Sequence, residues 1–191
     1  EASSELERRK KAHRGPFALV PDEPISLTEI RRISIPIYGM ELWGDVFSNR
    51  QNLLLQTIAR LGSDASPQTE QGLRGVLAVL FALALGRQAD ACSTLARWHT
   101  TREINTGAFG RQALGMVWDF SEVNPFSGAT GSWDGVVEWI AKVCESQAGA
   151  DDQITGQAQR ASATAHPLSD DMASAWITDP PYYDAVPYAH L

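Results

Sequence analysis

Cysteine is scarce in this 191-residue chain: Cys92 and Cys144 stand alone, with no CxxC and no even framework. That excludes a disulfide scaffold and favours a reducing, cytoplasmic compartment. Neither Cys has the neighbours of a nucleophile, and four scattered His residues make no metal-ligand spacing, so no metal site is expected. No run of 18 or more apolar residues exists. The greasiest stretch, Leu73 to Leu85, is interrupted by Arg74 and is short for a bilayer, which argues against a membrane partner. Glu1 to Arg14 has no apolar h-region, so it does not read as a secretory signal. Basic residues are missing from one half. Residues 1–111 hold 14 Lys and Arg against 12 Asp and Glu, whereas residues 112–191 hold 2 against 11. Phosphate binding wants clustered Lys and Arg. Only Arg8 to Arg14 forms such a cluster, which reads as a solvated helix or flexible end ahead of a DNA-binding arm.

What is present suits a globular fold. With 43% hydrophobic and 20% charged residues the chain can bury a core, as one domain or a domain plus an appendage. Three parts are expected. Residues 1–35 form a charged, Pro-rich N-terminal segment, beginning with a frayed helix over Glu1 to His13 and continuing extended past Pro16, Pro21 and Pro24. Residues 36–148 form a helical middle region. Ser48-Asn-Arg-Gln51 has the capping-box form and opens a helix over 49–61, stopped by Gly62-Ser63. Ser66-Pro67 opens a second over 67–97, apolar nearly all round and so expected to be buried at its centre. A third covers 133–146, with Trp133, Val136, Val137, Ile140 and Cys144 at helical spacing. Residues 149–191 are a polar loop followed by a short apolar run. Strand is expected only around 33–38, 160–164 and 174–178.

The one specific signal lies in that last part. Asp179-Pro180-Pro181-Tyr182 follows the apolar run Ala173 to Thr178, and such a four-residue match arises by chance in roughly one chain in a thousand of this length. Two Pro residues end any central ladder, placing Asp179 at the carboxyl end of a strand, where open α/β sheets hold ligands. The plainer alternative is a strand closed by a Pro-Pro turn with an Asp cap.

The residue types fit one chemistry. An exocyclic amine of a nucleobase is a poor nucleophile because its lone pair is delocalised into the ring. A carboxylate from Asp179 and the carbonyl of Pro180, both accepting its N–H hydrogens, would free that lone pair. Pro180 fixes the backbone so that its carbonyl points into the pocket and has no N–H to compete there, and Tyr182 offers a flat face on which an extruded base can stack. No Cys nucleophile is required.

The stretch Trp176 to Ala189, containing Asp179-Pro-Pro-Tyr-Tyr-Asp-Ala-Val-Pro-Tyr188, resembles the catalytic block of the adenine-specific DNA methylases that carry a zinc-ribbon insertion. Tyr38 to Gln51, Arg97-Trp98-His99 and Phe109 to Phe126 resemble the same family's large middle region, so the likeness touches most of the chain from about Phe17 onward. It implies an S-adenosylmethionine-dependent DNA adenine-N6 methyltransferase, of a kind in part linked to phage defence. The implied catalytic residues are Asp179, Pro180, Pro181 and Tyr182, and the implied partner is duplex DNA. The implied fold class is α/β: part of a Rossmann-like methyltransferase, mainly helical in this fragment with a few short strands. The family's Asp-Pro-Phe-x-Gly-x-Gly cofactor loop and zinc ribbon lie upstream and are not matched here. Asn124-Pro-Phe-Ser-Gly-Ala-Thr-Gly131 imitates that loop, but the next helix leaves only about 16 residues before Ser162, too few for a further strand and helix. It is therefore read as a loop leading into a helix. The chain is expected to need the remainder of the methyltransferase, and alone to bind the cofactor weakly or not at all and to hold no zinc. An RNA guanine-amino methyltransferase and a non-catalytic helical interaction module are the alternatives.

Overall fold

The computed structural model describes residues 1–65, 71–148, 156, 158–162, 164, 165 and 168–182. Four helices carry it: α1 (Ala2–Ala12), α2 (Asn49–Ala65), α3 (Gln71–Ala91) and α4 (Trp133–Ala148). One antiparallel hairpin joins β1 (Arg97–His99) and β2 (Ile104–Thr106), pairing Trp98 with Asn105.

α1 forms because Glu5 sits three and four residues before Arg8 and Arg9, the spacing at which helical ion pairs meet, with contacts of 2.7 and 2.8 Å. The expected frayed helix is in fact docked. Leu6 is buried, Arg9 donates to Thr57 Oγ1 at 2.7 Å, and Asn49 donates to Ser3 Oγ at 2.9 Å. The start of α2 is the predicted capping box: Ser48 N donates to Gln51 Oε1 at 2.8 Å and Gln51 N to Ser48 Oγ at 3.3 Å. α2 continues through Gly62 to Ala65 instead of stopping there. Gly62 is needed for contact, because a Cβ there would lie 2.3 Å from the Phe81 ring. α4 begins after Ser132, whose Oγ accepts from Gly135 N at 3.4 Å.

The main core is built largely from irregular chain. Ile25, Ile33, Ile35, Val46, Leu95 and Leu114 are buried together, with Met40, Trp43, Phe47 and Val117 packed against them. Two of the sequence blocks singled out above, 38–51 and 109–126, thus share one core. Arg50 bridges them at the surface through a bidentate pair with Glu122.

Several expectations are corrected. Residues 33–38 are not a strand: Ile33 makes a single parallel bridge to Leu114, and Ile35–Tyr38 is a 3-10 turn. Pro36 at its start fixes a helical φ and donates no ladder bond, and Gly39 closes the turn at φ 89°. The second helix ends at Ala91, not 97. Beyond it Ser93 Oγ, Thr94 N and Thr94 Oγ1 all donate to Val46 O, and Ser93 Oγ accepts from Leu95 N. These short polar side chains offer the backbone an alternative to the helix. Its first expected residues, 67–70, lie outside the described ones.

α3 is also not buried at its centre. Leu73, Val76, Leu77, Val79 and Leu83 are about half exposed or more, and only Ala84, Gln88 and Ala91 are buried. Within it, Gly72–Ala91 reaches a mean hydropathy of 1.3 and is long and apolar enough to cross a membrane by length and composition. Only 11% of the most apolar 18-residue window in that span is buried. No strand is seen among the described residues of 160–164 and 174–178. A strand exists only as a paired element, and no described neighbour offers these segments a ladder.

Candidate active site

The segment that carries the candidate residues leaves α4 and reaches residues 168–182 as exposed, irregular chain. A turn closes at Ser169 to Met172, where Met172 N meets Ser169 O at 3.4 Å, and Asp171 takes a left-handed φ of 63°. Asp is one of the few side chains that tolerate this conformation. From Ala175 to Tyr182 the backbone has no regular structure, consistent with Pro180 and Pro181, which supply no N–H.

Asp179, Pro180, Pro181 and Tyr182 are together as sequence neighbours, and all four are exposed. Placement of Asp179 at a strand end is corrected accordingly: the described chain before it carries no strand. Trp176, Ile177 and Tyr182 expose 61%, 93% and 69% of their surface, so the described residues build no water-excluding wall around the carboxylate. Tyr183 and Tyr188 lie outside the described residues.

The Asn124–Gly131 loop is a self-contained turn leading into α4. Asn124 Oδ1 accepts from Phe126 N at 3.0 Å, Asn124 O from Ser127 N at 3.2 Å, and Ser127 Oγ from Ala129 N at 3.2 Å. Ala129 O and Pro125 O then accept from Ser132 N and Trp133 N. The N–H groups of Phe126, Ser127, Ala129, Ser132 and Trp133 are thus spent within the turn. Behind it lies a cavity of about 230 Å³ lined by Arg87, Asp90, Asn105, Thr130 and Trp139 among others. That volume falls below the roughly 300–1,000 Å³ of ligand pockets for drug-sized molecules.

Two features escaped the sequence reading. Arg87 lies 4.9 Å from the centroid of the Trp139 ring, a cation–π contact tying α3 to α4. A larger apolar groove of about 890 Å³ opens between α2, α3 and α4, lined by Gly62, Leu77, Phe81, Trp133, Val137 and Ile140 among others. The apolar spacing of α3 and α4 signalled both helices but not the gap between them. The basic cluster is largely engaged by its own helix: Arg8 and Arg9 hold Glu5, Lys10 holds Glu7, and Arg14 donates to the carbonyls of Lys11 and His13. Among the described residues no three His, Cys, Asp or Glu side chains gather in a way that could hold a metal ion.

Comparison of the chain with protein-family models, with curated proteins and with solved structures finds no match.

Proposed function

We infer that this chain is part of an S-adenosylmethionine-dependent DNA adenine-N6 methyltransferase, and that Asp179, Pro180, Pro181 and Tyr182 are its catalytic block. The observation that carries this reading is the Asp179-Pro-Pro-Tyr182 run itself, placed after a short apolar stretch. Its supporting context is the likeness of 38–51 and 109–126 to the same family, together with the shared core into which those two blocks fold.

In this reading Asp179 accepts one hydrogen of the target amine and the Pro180 carbonyl the other, while Tyr182 stacks on the extruded base. The exposed course of 173–182, which has no strand assignment, then belongs to a strand whose ladder neighbours come from the remainder of a Rossmann-like sheet. Those neighbours would also exclude water, without which a carboxylate's hydrogen bond gives little catalytic advantage. The cofactor supplies the methyl group and is held outside the residues described here.

A helical interaction module with a merely structural Pro-Pro turn is the second reading. The exposed apolar surface of α3 favours it.

The deciding experiment is single-turnover methyl transfer by the complete enzyme, offered duplex DNA and structured RNA, alongside cofactor affinity. Transfer to DNA adenine is expected, with Asp179→Ala slower by ~10²–10³ and cofactor affinity unchanged. Transfer to RNA guanine alone would reassign the substrate. Near wild-type transfer by Asp179→Ala would reduce the Pro-Pro turn to a turn, and an absence of both transfer and cofactor binding would leave the interaction module.

A further inference from the structure

The basic cluster visible in the sequence is largely engaged by α1 itself, but the fold assembles a second one from segments far apart in the chain. Leu114 N donates to Arg32 O at 2.7 Å and Ser34 N to Leu114 O at 2.9 Å, the bonds of a parallel bridge between Ile33 and Leu114. Both bridge residues, with Ile35, are buried in the main core, so the pairing is firmly mounted. Its parallel course puts Arg31 and Arg32 at the same end as Arg111 and Gln112. At the other end Tyr38 and Trp118 meet edge to face, with ring centroids 5.5 Å apart.

The basic end is not neutralised. Arg31 and Arg111 are exposed and Arg32 is half-buried. Among the described residues none of the three forms an ion pair, whereas Arg8, Arg9, Lys10, Arg50, Arg60 and Lys142 all do. Arg111 and Gln112 also line an open cleft of about 510 Å³ with Phe109, Gly110 and Leu114. Phe109 N donates to Asp90 Oδ1 at 2.7 Å, which holds the backbone at the cleft while the ring stays 44% exposed. At the aromatic end Trp118 is 81% exposed, so its contact with Tyr38 leaves most of the indole open.

Open guanidinium groups attract anions, and open aromatic rings attract flat ones. A polynucleotide strand supplies both at once. Arg matches phosphate in a two-pronged geometry, and single-strand sites combine a positive surface with aromatics on which bases stack. The bases must be unpaired, because those of a duplex spend their faces on each other. An acidic peptide would answer the arginines but leave Trp118 and Phe109 without a partner. We propose that segments 31–38 and 109–118 form a binding surface for single-stranded nucleic acid, with Arg31, Arg32 and Arg111 on its phosphates and Phe109 and Trp118 against its bases. This surface is separate in sequence from Asp179 to Tyr182 and requires no methyl transfer.

Charge sets the strength. A net charge of −7 opposes any polyanion at long range, so the attraction is local and the affinity modest. Contact with three phosphates of a single strand gives log affinity against log salt a slope of about −2.

The test is fluorescence anisotropy of a labelled oligothymidylate of about 16 nucleotides, titrated with the 191-residue chain across a salt series. The probe has no adenine, so its failure to bind would leave the methyl-transfer reading standing. Micromolar binding is expected, with a salt slope near −2 that falls in magnitude by about 0.7 in Arg31→Gln or Arg111→Gln. Trp118→Ala should weaken binding roughly 5- to 150-fold. Trp118→Phe should restore most of that affinity while removing most of the tryptophan quenching that the strand causes in the parent chain. Arg102→Gln, which removes an exposed charge from the turn between β1 and β2, should bind as the parent does. These side chains are exposed, so thermal unfolding of every variant should match the parent. A matching oligouridylate identifies the strand: tighter binding of either one supports the proposal and names DNA or RNA. No binding, a duplex bound as tightly as the single strand, or equal losses in Arg102→Gln and Arg111→Gln would overturn it. So would tighter binding of polyglutamate, which would make this a contact for an acidic protein.

Discussion

Gln88 on α3 donates through Nε2 to the carbonyl of Gly131 at 3.0 Å, tying the helix to the turn that launches α4. The side chain is wholly buried, and the same nitrogen lies 3.0 Å from Cys92 Sγ. Its Oε1 has no partner among the described residues, so one end of the amide does the holding. Removing that end strands a part-buried carbonyl, which costs about 1–3 kcal/mol. Gln88→Ala should lose at least this much in urea unfolding, since a cavity is added. Gln88→Met keeps the volume and deletes the unsatisfied oxygen, so it should lose less than Gln88→Ala. Equal losses would mean that the lost hydrogen bond to Gly131, and not packing, sets the cost at this position.

The two thiols should separate cleanly in reactivity. Cys144 is exposed on α4, whereas Cys92 is buried, and burial pushes its thiol up from the ordinary value. The thiolate is the reactive form, so both access and ionisation protect Cys92. A disulfide reagent at neutral pH should titrate one thiol at once and the second only as the chain opens. Gln88→Ala, which loosens the contact over Cys92, should speed that second phase without changing the first. Two fast thiols would contradict the packing of Cys92 beneath α3.

Acid sensitivity should be traceable to Glu5. Hydrogen bonds from Arg8, and then from Arg9, lower its carboxyl to about 2. A depressed folded-state value means that the group's contribution is present above its ordinary value near 4.5 and is lost as pH falls toward 2. Glu5→Gln should therefore differ from the parent chain at neutral pH and converge with it across that window. Because Glu5 and Arg8 are solvent-facing, the difference should be small and should shrink further in salt. A carboxyl resonance of Glu5 titrating near its ordinary value would show that the Arg8 and Arg9 contacts are not kept in solution.

What the residues announced in advance depended on how local the cause was. Ser48 and Gln51 satisfy each other's backbone N–H groups within one turn, so the start of α2 could be read directly. Around Ile33 and Ile35 the apolar alternation suggests a strand but does not reveal that Ile33 meets Leu114 in a single bridge, or that Pro36 starts a 3-10 turn. The three-residue strands around Trp98 and Asn105 are too short for any period to register. The end of α3 at Ala91 was hidden because Val46 O, which Ser93 and Thr94 reach, is more than 40 residues away in sequence. Apolar spacing in α3 foretold a helix correctly, but spacing cannot say whether a neighbour covers it, and Val79 and Leu83 are open. Asp179 to Tyr182 are similar: their chemistry is written in residue type, whereas the walls that would make it work are not.

The part played by Tyr182 can be tested separately from that of Asp179, in the complete enzyme. Its ring is 69% exposed here, leaving a broad aromatic surface available to a flat ligand. Stacking of a base on an aromatic face is worth about 1–3 kcal/mol, which corresponds to roughly 5- to 150-fold in affinity or rate. Tyr182→Ala should lose that much in single-turnover methylation, and Tyr182→Phe, which keeps the ring, should retain most of it. Duplex DNA with 2-aminopurine at the target adenine gives an independent readout, since its fluorescence rises when the base is unstacked and falls again against an aromatic ring. Tyr182→Ala should leave the extruded base brighter than the wild type does, while Tyr182→Phe should match the wild type. Equal losses in the two variants would assign the role to the hydroxyl. Unchanged rate and fluorescence in both would remove Tyr182 from the catalytic block while leaving Asp179 to be judged on its own.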